Sequence, residues 1–147
     1  MPQPGWTVSP RYASFWQRFF AYIIDLLIVG SIGLVLRLIF LGTRGALGEV
    51  YVSLLIALVV HAVYFIWLWG SGQTVGMRAL NLRMVRALDG GPMDVGRATL
   101  RFVPFGLALV VAFIGVLIWL VMAITTATDA RRQGVQDKLA GTLVLAV

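Results

Sequence analysis

Long apolar runs separated by short polar stretches dominate the chain. Residues 19–41, 50–69 and 102–124 are each nearly continuous in hydrophobic side chains. Crossing a hydrocarbon core about 30 Å thick takes about 20 such residues at about 1.5 Å apiece, so all three are predicted as membrane helices. Apolar residues surround each run on all sides, as expected of a helix facing lipid.

The polar interruptions are few. The first run is entered at Arg18 and contains Asp25 and Arg37; the second contains His61 and lies between Tyr51 and the pair Trp67 and Trp69; the third holds no charge. Aromatic rings at the ends of a span read as interfacial belts, and Arg37 is close enough to an end to snorkel. A basic start before an apolar run also suits a signal peptide, but residues 19–41 are too long and too interrupted, so the run reads as a retained span.

Between the runs lie two different connections. Gly42, Arg44, Gly45, Gly48 and Glu49 make a short polar link. Residues 70–101 form a longer polar loop opened by Gly70, Gly72 and Gly76, in which Leu80, Leu82 and Met84 alternate with Asn81 and Arg83 as in a short strand. Asp89-Gly90-Gly91-Pro92 predicts a turn, and Asp94 a cap for a short amphipathic helix carrying Arg97 and Arg101 along the membrane surface. The tail, 125–147, ends in a strand-like stretch, Thr142 to Val147, suited to pair with the strand near Leu82. The fold class expected is thus an all-α integral membrane protein in one domain, 1–147, with an interfacial helix and short strands in the loop and tail.

Composition strengthens this reading. Hydrophobic residues make up 60% of 147, charged ones 12%, and mean hydropathy is +0.92, too apolar for a soluble domain of this size. The absence of cysteine excludes disulfides and thiolate metal sites. The net charge of +6 comes from arginines that crowd the ends of the apolar runs, among them Arg78, Arg83, Arg86, Arg97 and Arg101, expected to face anionic lipid headgroups. Nucleic-acid binding needs an exposed basic face, and these arginines lie beside hydrophobic spans, so it is set aside.

Sidedness leaves two topologies open. If the third run crosses once, the face carrying the amino terminus and the 70–101 loop holds seven Lys and Arg against five; if it bends at Gly115 into a re-entrant hairpin, the count becomes ten against two. Length favours the single crossing, whereas the charge rule favours the hairpin, whose arms would hold only about a dozen residues each. Both put the amino terminus in the cytoplasm of a multi-pass cell-membrane protein.

Arg18 and Asp25 are seven residues apart and share one helix face with Ser14 and Tyr22. This polar stripe should face protein or water, since a carboxylate in hydrocarbon costs at least about 2 kcal/mol. Counting residues from the shared end places His61 of the antiparallel second helix level with Asp25, with Tyr22 and Tyr64 as neighbouring hydroxyls. Arg18, Tyr22, Asp25 and His61 are therefore the expected proton or cation site, weighed against a purely structural clamp. No nucleophile elbow, P-loop or zinc-helix motif occurs, so no enzyme, cofactor or metal is expected. Gly72-Gln-Thr-Val-Gly76 is glycine-rich but lacks a P-loop lysine.

Arg18, Asp25, the segment Gly72-Gln-Thr-Val-Gly-Met-Arg78 and the closing Gln136-Asp-Lys-Leu-Ala-Gly-Thr-Leu-Val144 together resemble the RDD family of membrane proteins. The resemblance maps the family's arginine to Arg18 and its aspartates to Asp25 and Asp137. Met77 and Gln136 stand where the family commonly has lysine and histidine. It implies membrane residence and a suspected role in transport, some members looking like cation/proton antiporters. A monovalent cation and a homo-oligomer are the partners that this reading implies, three helices being few to enclose a polar path. The alternative is a non-transporting scaffold or accessory subunit that binds a partner protein or anionic lipid. Asp137 and Lys138 also fit a structural role, capping a turn or pairing with Arg78 or Arg83 to dock the tail on the loop.

Overall fold

The computed structural model describes residues 10–41, 46–110 and 112–147. Gly42, Arg44 and Gly45 of the expected first link lie outside the described residues, as do Pro2 and Pro4. Helices α1 (Phe15–Leu41) and α2 (Ala46–Gly70) form the expected antiparallel pair. Their apolar side chains stay uncovered: only 17% and 6% of the two most hydrophobic windows are buried within the protein. A soluble core helix of this hydropathy would be mostly covered, so Leu27, Leu38, Val63 and Trp67, all exposed, have lipid as their natural solvent.

The third apolar run is not one helix. After a five-residue helix α3 (Val75–Ala79) and a strand β1 (Leu82–Arg86), the chain forms α4 (Val95–Val110) and α5 (Ala112–Thr128), which fold back on one another. Gly115 makes this approach possible, because a Cβ there would collide with the Ala108 carbonyl. A helical hairpin therefore replaces the single continuous helix that length favoured, and its helices meet between Val110 and Ala112, ahead of the bend expected at Gly115, which lies inside α5. Its arms have 16 and 17 residues, longer than the dozen expected. The reason lies in α4: the helix begun under the Asp94 cap runs straight on through Arg97, Arg101 and Pro104 into the apolar run. No separate surface helix exists among the described residues.

A small polar cap closes one end. Helix α6 (Val135–Ala140) ends at Gly141, whose φ of 62° is the left-handed geometry of a helix C-cap, and leads into β2 (Thr142–Ala146). The expected strand pairing is present: β1 and β2 run antiparallel with Met84 opposite Val144. Tyr12 bridges Leu145, and the Ala13 amide donates to the Val144 carbonyl at 2.9 Å, so the start of α1 joins the same cap. The core under it is Ala13, Leu82, Met84, Ala98 and Val144, all 0–1% exposed.

Candidate functional site

Two buried carboxylates organise the contact between cap and helices. Asp25, 2% exposed, faces the loop that follows α2. Its Oδ1 accepts from the Tyr64 hydroxyl at 2.8 Å and the Gly76 amide at 2.8 Å, and its Oδ2 from the Thr74 hydroxyl at 2.6 Å. Thr74 is also the N-cap of α3, accepting from the Met77 amide. Gly76 must be glycine because a Cβ would run into the Ala21 carbonyl, and that close approach brings its N–H to Asp25.

Asp25 is thus the anchor of α3 rather than half of an acid–base pair with His61. The His61 ring turns to its own helix, its Nδ1 lying 2.7 Å from the Ala57 carbonyl oxygen.

Asp137, 0% exposed, is the second node. Its Oδ2 accepts from Arg18 Nη1 at 2.9 Å and from the Gly134 amide at 3.0 Å, and its Oδ1 pairs with the Arg101 guanidinium and accepts from the Thr142 hydroxyl. Arg18 also donates to the Ala13 and Val144 carbonyls. Arg101 donates to the Thr142 hydroxyl and stacks on Trp69, 5.0 Å from the ring centre. A buried carboxylate between two arginines fits the rule that buried charge is kept only when paired.

Arg18 shares a helix face with Asp25 and reaches the tail. Two expectations are corrected here. Asp137 pairs with Arg18 and Arg101 instead of Arg78 or Arg83, because the tail docks over α1 and α4. Arg101 is not lipid-facing: it is 4% exposed, withdrawn by that ion pair. Arg78 and Arg83 are exposed, while Arg86 and Arg97 are partly covered and paired with Asp89 and Asp94. Tyr22 belongs to an aromatic cluster, its ring 5.0 Å from Trp119 and 5.5 Å from Phe65.

A groove of about 520 Å³ runs between α1 and α5, lined by Asp25 and by the two arginines that pair with Asp137, and by apolar side chains elsewhere. Arg18, Arg101, Thr126 and Gln136 stand at its cap end; Ile23, Val116 and Leu120 lie further along it. Thr74, Trp69 and Gln136 were not singled out as site residues from sequence. A Thr before a short helical segment is a readable N-cap signal, whereas nothing local to Gln136 marks it.

The arginine and both aspartates thus tie the helices to the cap, and a model of the RDD family matches residues 12–141. The chain belongs to the RDD family. No curated protein and no solved structure matches it. Like the resemblance read from sequence, the match covers nearly the whole chain and identifies an RDD membrane protein without assigning its activity.

Proposed function

We propose that this RDD protein is a non-transporting, non-enzymatic membrane subunit whose polar cap presents basic side chains to a partner protein or to anionic headgroups. One observation carries the reading: both oxygens of Asp25 are engaged by three protein donors, and Arg18 is engaged by Asp137 and two carbonyls. A carboxylate serving a cation must offer oxygen lone pairs to it, and three of the about four here are directed at N–H and O–H groups instead. The exposed arginines of the cap, Arg78, Arg83, Arg131 and Arg132, supply the basic surface.

The competing reading is exchange of a monovalent cation for protons at Asp25, favoured by the position of that residue on the groove wall. It requires Asp25 to release a donor as the cation arrives, and a homo-oligomer to complete the path. Ion flux in liposomes, scanned across Na⁺, K⁺, Li⁺ and pH, separates the two. The subunit reading expects no cation-dependent proton movement, with Asp25→Asn lowering thermal stability. Flux that disappears in Asp25→Asn while stability is unchanged would overturn it.

We assign the cap to the cytoplasmic side of the cell membrane. With the hairpin returning the tail to the amino-terminal face, ten Lys and Arg stand there against two opposite, a bias in the sense of the positive-inside rule.

A further inference from the structure

The groove between α1 and α5 combines three properties that point to one kind of ligand. Its long walls are apolar, and lining residues at its outer lip are solvent-facing: Phe19 is 41%, Val116 61% and Leu120 52% exposed, on the same surfaces that face lipid. Its cap end is cationic, with Arg18 and Arg101 sharing the single carboxylate of Asp137. And that end holds unspent polar capacity. Arg101 Nε and Gln136 Oε1 are buried with no hydrogen-bond partner, in side chains only 4% and 7% exposed that both line the groove.

Such orphans are rare because each costs about 1–3 kcal/mol. Arg101 Nε is a donor, and the Gln136 amide presents an oxygen and an NH₂ together, so the group that answers both accepts from a guanidinium and can exchange a hydrogen bond with an amide in either direction. An anionic headgroup carrying a hydroxyl does so. At the cap end two arginines stand against the one carboxylate of Asp137, and that local excess of positive charge selects an anion there; Asp25 lines the wall about 10 Å further along α1 from Arg18. The volume lies in the range of about 300–1,000 Å³ usual for small-molecule sites, enough for a headgroup and part of a chain. Its mouth opens at the surface where acyl chains lie.

We infer that the groove is a binding site for one anionic, hydroxyl-bearing membrane lipid of the phosphatidylglycerol type, its head against Arg101, Arg18 and Gln136 and one acyl chain between α1 and α5. The site is internal and separate from the exposed arginines of the cap, and it stands whether or not the chain exchanges ions.

Native mass spectrometry of the full chain in mild detergent, with dioleoyl phosphatidylglycerol, dioleoyl phosphatidylcholine or inorganic phosphate added, tests the assignment. The expected result is one retained phosphatidylglycerol, held about tenfold more tightly than phosphatidylcholine. That adduct is lost in Ala123→Phe, which fills the groove without touching the ion pairs, and kept in Leu38→Phe, on the lipid-facing surface of α1. Should Ala123→Phe not fold, tryptophan quenching by brominated-chain lipids gives a second readout. The part of the quenching that Trp119→Phe removes is then larger for brominated phosphatidylglycerol than for brominated phosphatidylcholine. Equal retention of the two lipids, an adduct unchanged in a folded Ala123→Phe, equal Trp119 quenching by the two lipids, retention of inorganic phosphate in place of lipid, or a second copy of the chain occupying the groove would each overturn the inference.

Discussion

Single substitutions separate what Asp25 and Gly76 contribute. Asp25→Asn keeps the shape but offers one acceptor oxygen and an NH₂ where three donors converge, so it leaves at least one of them unsatisfied in a buried site. Thermal unfolding in detergent is expected to register a loss of about 1–3 kcal/mol. Gly76→Ala drives a methyl group into the Ala21 carbonyl, and the expected cost is about 1–3 kcal/mol, read in the same assay as faster cleavage of the 70–81 segment by protease. Asp137→Asn strands two arginines around a neutral amide; loss of one partner of a buried pair costs about 3–5 kcal/mol, making this the most damaging of the three by unfolding midpoint. At this scale Arg18 and Asp25 were legible because charge beside or within an apolar run is conspicuous, whereas Asp137, in a charged tail, was reached only through the resemblance to the RDD family. The sequence misled about their partners. Helical spacing reports which residues share a face, and Arg18 and Asp25 do, but a long guanidinium bonds wherever tertiary structure brings a carboxylate, here 119 positions away.

Among the elements, the two spans and the strand pair were legible because each rests on a local pattern: continuous hydrophobicity for α1 and α2, alternation around Leu82, and a short apolar stretch from Thr142 to Val147. The hairpin was not legible by length, since a run of 23 apolar residues satisfies a single crossing as well as two half-depth arms. What decides it is a contact, Gly115 against Ala108, together with the docking of α6 and β2 beside α1. Cysteines placed at Arg83 and Arg132 are therefore expected to react with an impermeant maleimide from the same side of the membrane; labelling from opposite sides would contradict the hairpin. The turn joining α5 to α6 carries its own pH dependence. Asp129 is held below the ordinary carboxylate pKa, first by the hydrogen bond from the Lys138 ammonium and further by the Gln133 and Arg131 amides. Because the folded value is the lower one, its contribution is complete above the unfolded value of about 3.9 and fades as pH falls through the folded one. Hydrogen-exchange protection across residues 129–134, taken relative to the intrinsic rate at each pH, should fall on acidification below about pH 4, and Asp129→Asn should flatten that response.

For the molecule as a whole, the arrangement is a polar lid riveted to an apolar stem, with the rivets placed at the lid's underside. Every rivet joins residues far apart in the chain: Asp25 to Thr74 and Gly76, Arg18 and Arg101 to Asp137. Both tail-borne partners, α6 and β2, follow all the membrane-inserting helices in chain order. During synthesis, then, α1 and α4 must reach the bilayer with Arg18 and Arg101 still lacking their counter-ion, and β1 with its edge bare. A ribosome that stalls before codon 137 leaves an inserted stem whose guanidinium groups have nothing to hold.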